Sequence, residues 1–179
     1  KEKVNYKINS KKFSSELCLV AVGLSGNSDK IGLEGIDIKV INTFIKTDSQ
    51  LRTKHKNIFA IGDVSGPPLL AHAASAEGKF VADLISKSIP PDSIFEYGNI
   101  PSCVYSKPEI ASVGMTEQEA RDKYKDIRIG TFPFSALGKA VAINNTSGFV
   151  KVIFDSEYGE LVGCHIIGHS ATEIVLSAC

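Results

Sequence analysis

Residues 148–168 read GFVKVIFDSEYGELVGCHIIG, two apolar runs separated by little more than the four residues EYGE. A connection that short can only join antiparallel neighbours, because parallel strands need a crossover of a dozen or more residues. The runs Phe149 to Phe154 and Leu161 to Ile167 are therefore expected as a hairpin, with the glycine of EYGE supplying the turn. Further strands are expected over Ile100 to Tyr105 and Ile127 to Phe134. Between them, TEQEARDKY places Thr116 three residues before Glu119, the capping-box signature of a helix start. Another helix is expected to begin near Ala171. The second half thus reads as an α+β layer with an antiparallel sheet.

The first half has a different texture. Residues 4–9 alternate as a strand does, and the run LCLVAV, Leu17 to Val22, is expected as a strand ending at Gly23. A polar, glycine-rich connector covers residues 24–35. IDIKVINTFIKTD alternates again, and Asn57 to Ile61 is expected as a buried strand. From Leu70 to Ser88, apolar residues at Ala73, Ala74, Val81, Leu84 and Ile85 carry a helical spacing. That helix must stop before Pro90 and Pro91, which cannot continue it. The fold class expected is α/β for this half plus α+β for the other. The glycines at 23, 26 and 32 do not spell GxGxxG, so no dinucleotide fingerprint is assigned to them.

Composition narrows the function classes. Apolar residues make up 43% of the chain and charged ones 22%, which excludes a disordered polymer. Formal net charge is zero, and only Arg52, Arg121 and Arg128 of the 20 basic residues are arginine, so no nucleic-acid groove is expected. No apolar run is long enough to span a bilayer, so no membrane insertion is expected, and the first residues hold no signal-peptide core. Cys18, Cys103, Cys164 and Cys179 form no CxxC pair, which argues against a zinc knuckle or a vicinal redox disulfide. Reduced thiols in a reducing intracellular compartment are expected, with Cys18 and Cys164 buried in apolar runs. His165 and His169 lack further ligands that could be named, so no metal site is expected. The first residue is not methionine and the last helix runs out at Cys179, so a piece of a longer protein is expected.

The chemistry centres on NIFAIGDVSGPPLLAHAASAEG, residues 57–78. Asp63 closes an apolar run, where ligands of open α/β sheets lie, and a carboxylate there can accept hydrogen bonds from sugar-like hydroxyls. Gly66-Pro67-Pro68 forces a turn, after which Leu69, Leu70, Ala71 and His72 form a helix's first turn with free backbone N–H groups. Those donors and the helix dipole favour negative charge. Ala71, Ala73, Ala74, Ala76 and Gly78 allow close approach of a flat cofactor or of another stretch of backbone.

This run, from Thr53 on, resembles the second FAD-binding motif of the pyridine nucleotide–disulfide oxidoreductases, most closely their dihydrolipoyl dehydrogenase branch. YGNIPSCVYSKPEIASVGMTEQEA (97–120) and FPFSALGKAVAINNTSGFVKVIFDSEYGELVGCHIIGHSATEI (132–174) resemble the opening and continuation of that family's interface domain. The resemblance implies the end of an NAD-binding domain in residues 1–25, a central FAD-contacting segment in 26–95 and a truncated dimerisation domain in 96–179. It implies that Asp63 meets the ribitol hydroxyls of FAD and that Leu69, Leu70, Ala71 and His72 lie beside the flavin. His72 is a positional contact in that motif, not a base. Gly23 corresponds to a glycine whose backbone approaches NAD, although Leu24-Ser25 stands where the family usually has Arg-Arg-Pro.

The implied activity is oxidation of dihydrolipoamide, carried on an acyltransferase (E2) subunit, with reduction of NAD through a redox disulfide and FAD. The implied oligomer is a homodimer formed through residues 96–179. The family's CxxxxC pair and His–Glu base are not among these 179 residues, so no catalytic residue is expected here and the chain alone is expected to be inactive. A mercuric or glutathione reductase-like enzyme and a noncatalytic dimerisation module remain as alternatives.

Overall fold

The computed structural model describes residues 3–179. The C-terminal half is organised around the expected hairpin. β8 (Gly148–Asp155) and β9 (Leu161–Gly168) pair antiparallel, with Val150 opposite Ile166 and Val152 opposite Cys164. They form the middle of a five-stranded antiparallel sheet in the order β5-β6-β9-β8-β7, completed by β5 (Ser102–Val104), β6 (Glu109–Gly114) and β7 (Ile127–Pro133). Strand parity then assigns the faces. Ala111, Val113, Cys164 and Ile166 point to one side, where they pack with Phe134, Ala140, Ala171 and Val175 into the main core. The short helix α3 (Gly138–Ala142), α4 (Ala171–Ile174) and the 3-10 turn that follows α4 close that side.

The opposite face is half covered. α2 (Glu117–Lys123) starts at the expected capping box, with Thr116 and Glu119 exchanging hydrogen bonds, and buries Ala120 completely. It covers the end of the face that holds Ile153, also 0% exposed. A Cβ added at Gly163 would lie 2.1 Å from the Met115 carbonyl oxygen, so only glycine admits the chain leading into α2. At the other end of the same face, Ile110 and Phe149 flank Ile167 and stay 44% and 42% exposed.

The first half differs from expectation in several places. Val4–Ile8 (β1) does form, but it pairs with Lys11–Ser15 (β2) as a separate exposed hairpin. The run Leu17 to Val22 is not a strand, and Leu17, Leu19 and Val22 are each at least 87% exposed. A continuous apolar run can be a strand only when a ladder flanks it and layers cover both faces. No described residue supplies either. Cys18 is accordingly exposed, not buried.

Asn57 to Ile61 is likewise no sheet strand. It folds back on residues 51–53 through an isolated Arg52–Phe59 bridge, with the Ala60 N–H bonded to the Leu51 carbonyl. Alternation in IDIKVINTFIK yields only the two-residue strands β3 (Val40–Ile41) and β4 (Phe44–Ile45). Gly26 docks against this small hairpin. Its N–H donates to Thr43 Oγ1 at 2.8 Å, and an added Cβ would lie 2.3 Å from the Thr43 oxygen.

The turn of the central hairpin is held by Asp155, which is 2% exposed. Its Oδ1 accepts the N–H groups of Glu157 and Tyr158, and its Oδ2 accepts that of Glu160. These bonds, the one from Tyr158 foremost, hold its carboxyl below the usual aspartate range. Because the folded value is depressed, the stabilisation is present above the ordinary aspartate value and is lost as pH falls through the lower, folded value. Asp155→Asn is expected to lower the urea midpoint at neutral pH, and the gap from the unaltered chain should shrink in strong acid. A gap that stays constant with pH would refute the ionic role.

Candidate functional site

Asp63 lies in a 3-10 turn, Gly62–Ser65, and not at the end of a sheet strand. The turn begins at Gly62 with φ +71°, a conformation that favours glycine, and a Cβ there would come within 3.3 Å of the Ala74 Cβ. The turn therefore sits directly on the helix that follows it, α1 (Ala71–Ile85). Part of the small-residue stripe is used for this packing, with Ala73 fully buried and Ala74 facing Gly62. Asp63 itself is exposed, and its carboxylate takes no hydrogen bond or ion pair among the described residues.

The start of α1 is equally unsatisfied. Leu70 is the N-cap, in extended conformation, and offers no side-chain acceptor to the first turn. The N–H groups of Ala71 and His72, both exposed residues, thus have no hydrogen-bond acceptor among the described residues and lie at the positive end of the helix dipole. Leu69 and Leu70 are half-buried, while Ala71 and His72 are exposed. The structure seats the turn that carries the Asp63 carboxylate on the same helix whose first turn is uncapped. That pair can bind a molecule carrying hydroxyls beside an electron-rich group.

His72 does not point freely into this site. Its Nε2 lies 2.6 Å from the carbonyl oxygen of Pro101, and a carbonyl only accepts, so that nitrogen carries the proton. The ring is thereby tied to the Pro101 backbone. Gly23 has φ +102° and open space around its Cα within the exposed irregular segment. His165 Nε2 donates to the Met115 carbonyl oxygen, 2.9 Å away. His169 lies beside Glu109, whose carboxyl is held low by hydrogen bonds from the Thr172 hydroxyl and N–H. No three His, Cys, Asp or Glu side chains converge as metal ligands among the described residues. Burial pushes the thiols of Cys103, Cys164 and Cys179 up, which makes them poor nucleophiles.

One residue of the site escaped the sequence reading. Glu77 is 1% exposed, and both of its carboxylate oxygens are used. Oε2 accepts the Gly62 N–H at 2.5 Å, and Oε1 accepts the Tyr97 hydroxyl at 2.7 Å. Partial burial, then the bond to Glu77, pushes the Tyr97 hydroxyl far above its ordinary range, so it stays a donor. The available signal was position. Ala73, Glu77, Val81 and Leu84 share one helical stripe, and all four are buried. A carboxylate in an apolar stripe needs partners.

A separate open cleft of about 900 Å³ lies between the 52–59 turn and the far end of α1, lined by Arg52, Lys56, Phe59, Leu84 and Pro90. Arg52 stacks 4.5 Å over the Phe59 ring there. Of residues 57–78 only Asn57 and Phe59 line the cleft, and neither Asp63 nor the first turn of α1 does. No helix among the described residues is long and apolar enough to cross a membrane.

Residues 2–78 match the family described as pyridine nucleotide-disulphide oxidoreductase, and residues 100–179 match that family's dimerisation domain. The dihydrolipoyl dehydrogenase of Rhizobium etli is 41% identical over 162 residues, 90% of this chain and 34% of that protein. The dihydrolipoyl dehydrogenase of Geobacillus stearothermophilus is 43% identical over 175 residues, 96% of this chain and 37% of that protein. The chain spans about a third of the length of these relatives. LpdA of Mycobacterium tuberculosis shares the fold with a TM-score of 0.84 at 24% identity, over 94% of this chain and 36% of its own. The HOCl-induced flavoprotein disulfide reductase RclA of Escherichia coli does so with a TM-score of 0.80 at 24% identity, over 99% of this chain and 42% of its own. With one half matching the family's main domain and the other its dimerisation domain, in that order, the chain belongs to the pyridine nucleotide-disulphide oxidoreductases.

Proposed function

We propose that this chain is the flavin-contacting and dimerising part of a flavoprotein disulfide oxidoreductase that oxidises dihydrolipoamide and reduces NAD. The observation that carries the reading is the exposed, unpartnered Asp63 beside the uncapped N-terminus of α1. That donor and acceptor set fits FAD. Asp63 would accept from the ribitol hydroxyls, and the amides of Ala71 and His72, with the backbone at Leu69 and Leu70 around them, would face the pyrimidine edge of the ring. When bound, FAD supplies the two-electron relay between a dithiol and the nicotinamide. The chain's own residues orient the group and stabilise negative charge at its edge. A purely noncatalytic dimerisation module would have no use for this turn.

Lipoamide as substrate is supported by the relatives named dihydrolipoyl dehydrogenase at 41% and 43% identity. An acyltransferase (E2) subunit as its carrier and NAD approaching Gly23 follow from the family resemblance, and a reducing intracellular compartment from four cysteines without a CxxC pair. The division into residues 1–25, 26–95 and 96–179 belongs to the same reading. Homodimerisation through 96–179 is supported by the match to the dimerisation domain and by the open apolar end of the sheet at Ile110 and Phe149.

Asp63→Ala in the flavoprotein that carries this chain is expected to lower FAD affinity by roughly 10- to 100-fold, the worth of hydrogen bonds to a charged acceptor. Flavin content after gel filtration checks it, and full retention would sink the assignment. The 179-residue chain by itself should form no NADH from dihydrolipoamide and NAD even with FAD added, since none of its four cysteines form a CxxxxC pair. Measurable turnover would overturn that expectation. In sedimentation, Ile110→Lys with Phe149→Lys should shift the chain toward monomer; unchanged association would place the contact elsewhere.

A further inference from the structure

We propose that Glu77 is a positioning residue, which holds the Gly62–Asp63 turn on α1 and ties it to the connector leading into the dimerisation domain. The inference rests on the flavin reading of Asp63 and extends it to a residue that touches no ligand. Three observations converge. The carboxylate is buried inside the chain at 1% exposure, so it is not a solvated surface charge. One oxygen accepts the N–H of Gly62, the residue before Asp63, at 2.5 Å. The other accepts the Tyr97 hydroxyl at 2.7 Å.

Each end of this bridge is itself fixed. Gly62 adopts φ +71° against the Ala74 side chain, so its N–H direction sets where the next side chain, Asp63, points. Tyr97 packs edge-on against Phe95 at 4.8 Å, and Phe95 packs edge-on against Phe80 of α1 at 5.5 Å. The hydroxyl is thereby aimed by an aromatic stack seated on the same helix. A parallel tie runs from His72 to the Pro101 carbonyl, just before β5. Helix α1 thus holds the Asp63 turn on one side and the 95–101 connector on the other, and Glu77 is the side chain that touches both.

Hydrogen exchange at the Gly62 amide of the flavin-free chain reads the first link directly. Glu77→Ala is expected to speed that exchange by about tenfold or more, and to weaken FAD binding by a similar factor in the flavoprotein that carries the chain. Glu77→Gln should rescue both to within about threefold, because its amide oxygen can accept from Gly62 while its NH₂ donates to Tyr97. Tyr97→Phe keeps the aromatic stack and should speed exchange by about threefold, which keeps the idea testable if Glu77→Ala fails to fold. Unchanged Gly62 exchange in Glu77→Ala or Tyr97→Phe would overturn the bridge. Faster exchange with unaltered FAD affinity and unaltered flavin circular dichroism would overturn its link to the flavin. If Asp63→Ala keeps its FAD, the reading of Asp63 fails, and Gly62 exchange alone then decides whether Glu77 holds the turn.

Discussion

A carboxylate with both oxygens engaged inside the chain is the constraint on which the first half depends. Removing charge from water costs several kcal/mol per ion unless hydrogen bonds replace the lost solvent. Glu77 meets that condition only if the Gly62 turn and Tyr97 are both in place. Three segments distant in sequence are thereby made to agree on one geometry. Residues 51–66 otherwise hold together through an isolated bridge and turn hydrogen bonds, with only a small cluster of Leu33, Ile38, Ile45 and Ala60 beneath them. A core that small leaves the polar bridge a large share of the local order.

The second half depends on a different kind of constraint. The β8–β9 hairpin is closed by a local turn, so the loop entropy of bringing its strands together is small. Once it exists, β6 and β7 can add to its two edges, and register is set by which glycines permit close approach. At Gly148, a Cβ would lie 1.9 Å from the Ile167 oxygen, and at Gly168, 2.4 Å from the Phe134 ring. Slipping β8 by one residue would move a side chain into the place of Gly148 and turn Ile153 and Val152 to the wrong faces.

This contrast explains what the sequence made legible. The hairpin, the capping box at Thr116 and the helix from Ala71 carry their instructions locally, within a turn or a helical repeat, and all three are present. Leu17 to Val22 and Asn57 to Ile61 are as apolar as many true strands, yet neither forms one in the sheet. A strand exists only through partners elsewhere in the chain, and periodicity does not report whether they are there. Asp63 stands out in the sequence by the Gly62 before it and the Pro-Pro after it, although it sits in a 3-10 turn and not at a strand end. Glu77 was missed for the reason that strand pairing was misjudged. Its significance lies in Gly62 and Tyr97, fifteen and twenty residues away.

The chemistry available here is that of holding. Asp63 accepts hydrogen bonds, the amides at the start of α1 donate them, His72 is spent on Pro101, and the buried thiols are pushed away from reactivity. Among the described residues none of these groups is paired with a base or nucleophile that could make or break a bond. A site of that kind contributes by fixing where charge is stabilised before it develops, and preorganised donors lose little on being used. Such preorganisation is only as good as the rigidity behind it. An exposed aspartate in a four-residue turn would wander on its own, so the buried contact at Gly62 is what makes its position a property of the fold.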